Sequence, residues 1–230
     1  MFLPRMTNED IYRLYERDKD DIYRQKKKKI AEIKKTALRS GSYFPRIFFD
    51  LFTSKSGNTY ILNIVVPNAK TAYSMDLKNI YITTNGVFKY NDGHYGLYFI
   101  TSNKDGYAEF THHFFSRYSK RMQVSYDNEI ELIKTYFERN FNLLPSHEYL
   151  NAKEEDVKDE TIPYVCHDGI AYVLQDSKRK ISIIKTFIAT ETLGVAKLIH
   201  NNTYNICVEE ELLTNSKNTK YPKELLCKRN

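Results

Sequence analysis

Between positions 8 and 39 the chain contains neither glycine nor proline, the two residues that most readily break a helix. Ile11, Leu14, Tyr15, Ile22, Ile30, Ile33 and Ala37 form a discontinuous apolar stripe through this stretch. That spacing predicts one long helix, or two in tandem, over 8–39. Thr7 followed by Asp10 has the spacing of a capping box and fixes its start. At residue 43 the periodicity changes. Short β-branched and aromatic runs follow at 46–52, 59–66, 77–83, 87–90, 96–101 and 107–110. The breaks between them carry Gly57, Pro67, Asn85-Gly86, Gly93 and Gly106. Asn85-Gly86 is the strongest hairpin signal, since a type I′ turn needs positive φ at both positions. The expectation is an antiparallel meander of five or six strands over 43–110.

Charge shifts along the helix. Asp18, Asp20 and Asp21 come early, followed by Lys26, Lys27, Lys28 and Lys29, then Lys34, Lys35 and Arg39. From Arg24 to Arg46 there are nine Lys/Arg against one acid, Glu32. Such a run reads as a solvated face, helped by the helix dipole, or as a basic arm that holds a phosphate backbone. The chain as a whole has net charge +6, which favours an anionic partner modestly.

Helical spacing returns at 111–141. His113, Arg117 and Arg121 recur every four residues, and Phe114, Tyr118 and Met122 repeat the step one position later. On a helix these form two drifting stripes about 100° apart, one suited to a core and the other to the rim of a cleft. An imidazole with two guanidiniums is a phosphate grip that carries a proton-transfer group. His112 is the rival to His113, since shifting the helix start by one residue exchanges them. A second helix follows the break at 123–126, opened by Ser125 or Asp127. Residues 142–163 read as a loop with an acidic stretch, 170–174 and 181–188 as strands, 191–198 as a short helix and 203–208 as another strand. The organisation expected is a basic helical arm at 1–42, one α+β domain at 43–210 and a polar tail at 211–230.

Three cysteines at wide spacing exclude a disulfide framework and a paired-cysteine zinc site. They fit a reducing cytoplasm. No apolar leader or membrane-length run is present, so no membrane partner is expected. The six histidines form no His-Glu-x-x-His. Cys166-His167-Asp168 carries ligand types, but adjacent residues rarely converge on one ion. No metal or other cofactor is expected.

The order of elements resembles that of the RelE/barnase–EndoU–colicin ribonuclease superfamily. Compact members have a His-x-x-x-Arg-x-x-x-Arg helix, a second helix, a hairpin containing glycine, and a strand ending in a basic residue and threonine. His113, Arg117 and Arg121 match the first helix. Asp168-Gly169 and Lys185-Thr186-Phe187 resemble the hairpin and final strand. The resemblance covers 107–192. It departs from the pattern in the long link before the hairpin and in the preceding meander. It implies a toxin-like, metal-independent endoribonuclease in which the 2′-hydroxyl attacks the adjacent phosphorus. His113 would transfer the proton, Arg117 and Arg121 would bind the phosphate, and Lys185 and Thr186 would complete the site. Tyr118 is an alternative proton group. Lys26, Lys27, Lys28, Lys29, Lys34, Lys35 and Arg39 would hold the flanking RNA. The competing reading is a non-catalytic accessory protein, of the kind phages and mobile elements encode, that binds nucleic acid or a protein partner.

Overall fold

The structure, a computed structural model, describes residues 1–37, 45–68, 70–71, 80–100, 107–140, 144–145 and 161–189. It is a mixed α+β fold. Helix α1 (Asn8–Ala37) precedes strands β1 (Arg46–Thr53), β2 (Thr59–Val66), β3 (Tyr81–Lys89), β4 (Tyr95–Ile100) and β5 (Ala108–Phe110). Helices α2 (His112–Met122) and α3 (Glu129–Arg139) follow, then β6 (Leu144–Pro145), β7 (Thr161–Cys166), β8 (Gly169–Asp176) and β9 (Ile181–Ala189). All nine strands join one sheet in the order β1-β2-β3-β4-β5-β9-β8-β7-β6. The predicted meander is β1 to β5, every neighbour antiparallel. The one parallel pair, β5 with β9, welds it to the β7–β8–β9 hairpins.

Alternate residues of a strand point to opposite faces, and two cores result. On β2, Tyr60, Leu62, Ile64 and Val66 join Ile11, Ile22, Ile30 and Ile33 of α1. Ile61 faces the other way and joins Phe110, Phe114, Tyr118, Ile133 and Tyr136. The sheet is therefore sandwiched between α1 and the α2–α3 pair. The capping box is present: Asp10 N–H donates to Thr7 Oγ1 at 3.2 Å, and Thr7 N–H to Asp10 Oδ2 at 3.4 Å. The early acids of α1 are not simply solvated. Asp18 is buried and accepts hydrogen bonds from Ser54, Ser56, Asn58 and Tyr60. Burial alone would raise its pKa, and these four donors outweigh that and hold it low. Asp21 accepts from Lys55 N–H at 2.8 Å. Both carboxylates pin α1 to the β1–β2 turn.

Two expectations fail. Asn85-Gly86 is not a turn but the middle of β3, where Gly86 pairs with Tyr60 and Tyr98. The glycine serves close approach instead: a Cβ there would lie 2.6 Å from the ring of Phe2, which is 1% exposed. The predicted strands 77–83 and 87–90 accordingly merge in part into β3. The predicted loop at 142–163 contains β6 and the first residues of β7. Pro163 argued against a strand there, but β7 lies near the sheet's rim, where a missing N–H is tolerated. Arg39, the predicted elements at 191–198 and 203–208, and the tail at 211–230 lie outside the described residues.

Candidate active site

Helix α2 begins one residue earlier than its stripe suggests. Thr111 is the N-cap, its Oγ1 accepting from Phe114 N–H at 3.3 Å. The same threonine donates its hydroxyl to the Ile184 carbonyl at 3.3 Å, seating the helix start beside β9. His112 and His113 thus both lie in the first turn, and both line one cleft. The cleft holds about 210 Å³ and lies between α2, α3 and the β3–β4 hairpin. Phe115, Leu132 and Ile133 line it with apolar surface, and His94, His112, His113, Ser116 and Glu129 supply its polar groups.

His94 and Glu129 carried no signal in the sequence. They lie 35 residues apart, on elements of different type. The β3–β4 hairpin turns at Asn91–Gly93, as predicted, with Gly93 at φ 93° and Tyr90 N–H donating to the His94 carbonyl. Helix α3 is capped by Asn128, rather than by Ser125 or Asp127, its Oδ1 accepting from Glu131 N–H at 3.1 Å. This cap places Glu129 at the first helical position. One Glu129 oxygen lies 2.5 Å from His94 Nδ1, and the other accepts from Tyr95 N–H at 2.6 Å. The carboxylate clamps the hairpin to the helix and orients the His94 ring.

The imidazoles are packed together. His94 and His112 stack with centroids 5.1 Å apart and planes 8° from parallel. His113 lies 3.9 Å from His112, and the Tyr90 ring meets His112 edge-on at 4.8 Å. Their environments push them in opposite directions. Glu129 raises the His94 pKa through its hydrogen bond and charge. Burial, then the neighbouring His113, lowers that of His112. His112 Nδ1 is buried with no hydrogen-bond partner among the described residues. The arrangement sets side by side one ring that holds a proton more tightly than a free imidazole and one that holds it less tightly.

The remaining predicted residues are only partly brought together. Arg117 is exposed and donates to Thr186 Oγ1 at 2.6 Å, linking α2 to β9. The β8–β9 register shifts here: Tyr172 pairs with Thr186 and Val173 with Ile184. Lys185 is the extra residue of that β-bulge, a feature that re-aims side chains. It is exposed. Arg121 is exposed near the far end of α2, eight residues and about 12 Å along the axis from His113. Arg117 stands between them, one helical turn from each. Tyr118 belongs to the core, fully buried, its hydroxyl donating to Asp168 at 2.7 Å. It is no proton donor to the cleft.

Asp168 is the hub of a second, buried network. Arg139 reaches both its oxygens at 2.8 Å, Asn140 Nδ2 donates at 2.9 Å and His167 lies at 3.0 Å. Burial alone would raise its pKa, and these partners outweigh it and hold the carboxyl well below the usual range. The network ties both helices to the β7–β8 turn. It also disposes of Cys166-His167-Asp168 as a ligand set. Cys166 is buried with its thiol on the Gly169 carbonyl, and burial pushes its pKa up to about 12. Among the described residues no group of three or more His, Cys, Asp or Glu is arranged to hold a metal ion.

The lysine run lies across the sheet from the cleft, on α1. Lys29 is engaged by Glu32 at 3.2 Å and Asp50 at 3.3 Å. Lys26 is half-buried, and burial lowers its pKa. Lys27 lies over the Tyr23 ring, 4.5 Å from its centroid. Lys27, Lys28, Lys34 and Lys35 are exposed. An RNA strand touching both these lysines and the cleft has to pass around the sheet.

Among the described residues no helix is long and apolar enough to cross a membrane. Comparison of the chain with protein-family models, with curated proteins and with solved structures gives no match in any of the three.

Proposed function

We propose that the chain binds RNA and cleaves it without a metal, at the histidine cleft. The observation that carries this is the pair His94 and His112: adjacent rings whose surroundings push their pKa values apart. Such a split is how one site supplies an acid and a base at the same pH. His112, kept neutral by burial, takes the proton from the 2′-hydroxyl. The 2′-oxygen then bonds to the adjacent phosphorus, and the bond from phosphorus to the 5′-oxygen breaks. His94, kept charged by Glu129, gives its proton to that leaving oxygen. The products are a 2′,3′-cyclic phosphate and a 5′-hydroxyl, and proton exchange with water resets both rings. Arg117 offers positive charge, and His113 a ring N–H, to the phosphoryl oxygens as they become more negative. Thr186 holds the Arg117 guanidinium in place. Arg121 and Lys185 meet neighbouring phosphates. The resemblance to RelE-like ribonucleases over 107–192 points to the same chemistry.

The test is end-labelled RNA incubated in EDTA. Products carrying a 2′,3′-cyclic phosphate, and no cut at a site bearing a single 2′-deoxy sugar, support the reading. Cleavage across that 2′-deoxy sugar refutes it.

A second reading follows from the exposed lysines of α1, which face away from the cleft. In it the chain binds RNA through α1 and cuts nothing. Salt-sensitive binding that persists in His113→Ala, with intact RNA in the parent, selects it.

A further inference from the structure

Tyr126 is 42% exposed, among the few large apolar side chains left open to solvent in the described chain. It sits in the short link between α2 and α3 and lines the cleft alongside His112 and His113. Nothing in the packing of the link requires it there, since Val124 supplies the apolar contact that the α2–α3 core takes from this segment. Tyr95 lies on the same cleft, in β4, fixed by its backbone bond to Glu129. The cavity at about 210 Å³ is below the roughly 300–1,000 Å³ of pockets that enclose a drug-sized ligand. It takes one flat group, not a folded one. Aromatic walls, an apolar floor and imidazoles at the mouth are the chemistry of a nucleobase placed beside a phosphate.

We propose that Tyr126 is the stacking platform for a base next to the scissile phosphate, so that the substrate is single-stranded RNA. A paired base is held in its duplex stack and cannot enter a cleft closed on three sides by α2, α3 and the hairpin. The Arg117 guanidinium and the His113 ring hold the backbone while the base lies on the phenol ring. Tyr126 acts in binding, not in proton transfer. This rests on the cleft being the RNA site, and the test separates the two.

The probe is a fluorescein-labelled 2′-O-methyl oligonucleotide of eight nucleotides, which cannot be cut, with binding read by anisotropy. Its partner is the same sequence with one abasic position. Tyr126→Ala is expected to weaken binding of the intact oligonucleotide about tenfold or more. Tyr126→Phe, which keeps the ring, should bind within about threefold of the parent. Loss of the base and loss of the ring should not add, because they remove the two halves of one contact. A duplex of the same sequence should show no dependence on Tyr126. Equal binding by the parent and Tyr126→Ala, with RNA still cleaved by both, overturns the stacking inference and leaves the catalytic reading standing. A Tyr126-dependent complex with no cleavage of natural RNA does the reverse. Absence of any RNA binding by the parent overturns both. Tyr126 is solvent-exposed, so thermal melting of its variants is expected to match the parent.

Discussion

Asp168→Ala is the perturbation whose cost the structure specifies most fully. The carboxylate is 2% exposed and faces four side chains. Two of them, Arg139 and His167, are 44% and 56% exposed and regain water when it is removed. The Asn140 amide is buried but keeps the Tyr136 carbonyl at 3.1 Å, so the donor left stranded is the fully buried Tyr118 hydroxyl. A stranded buried donor costs about 1–3 kcal/mol, and the substitution should cost that much. In a chain of 230 residues, melting falls about 2–4 °C per kcal/mol, giving a drop of roughly 2–12 °C in differential scanning calorimetry. Arg139→Ala leaves Asp168 its buried donors and should cost clearly less. The pH dependence has a definite sign. The folded-state pKa is depressed, so the stabilisation is complete above the unfolded value of about 3.9. It is lost as pH falls through the folded value. Parent and variant should therefore converge only in strong acid. A melting drop under about 2 °C at neutral pH, or a gap that already closes by about pH 5, refutes the argument.

Glu129→Gln removes the charge that raises the His94 pKa, so the alkaline limb of any cleavage profile should move to lower pH; the acid limb, set by His112, should move the same way but less, since Glu129 is the smallest of the influences on that ring. NMR titration of the His94 ring checks the cause independently. Gly86→Ala drives a Cβ into the Phe2 ring and should cost about 1–3 kcal/mol by overpacking. Phe2→Ala alone should cost about 3–5 kcal/mol, and the double variant less than the sum, read by urea unfolding. Gln123 closes α2 in the left-handed region at φ 52°, where a side chain costs about 1–2 kcal/mol. Gln123→Gly should therefore be neutral or stabilising by up to about 1 kcal/mol in the same assay.

The helices and most of the strands were legible because they follow from local periodicity; that the first helix covers one face of the sheet was not. The discontinuous apolar stripe from Ile11 to Ile33, free of Gly and Pro, gave α1, and the Thr7–Asp10 pair gave its start. The aromatic stripe Phe114, Tyr118 and Met122 gave the packing side of α2. What local pattern could not carry was contact between distant segments. Gly86 looks like a turn residue until Phe2, 84 positions earlier, is seen against it. Pro163 looks like a strand breaker until β7 is placed near the rim of the sheet. The site shows the same division. His113 was recognisable from its spacing with Arg117, and Arg117 and Thr186 do meet. His94 and Glu129 were hidden because neither lies in a motif; only the β3–β4 hairpin and the cap at Asn128 bring them together. The four-residue spacing did carry the placement of Arg117 one turn from His113 and Arg121 two turns away along α2.

Single-turnover cleavage of a labelled single-stranded RNA in EDTA, followed across pH for the parent, His94→Ala and His112→Ala, tests the proposed site most directly. The expected result is cutting by the parent over a plateau bounded below by the lowered His112 value and above by the raised His94 value. His112→Ala should lose the acid limb, His94→Ala the alkaline limb, and both should lose most of the rate. Intact RNA with the parent, or parent-like cleavage by both variants, contradicts the assignment of catalysis to this cleft.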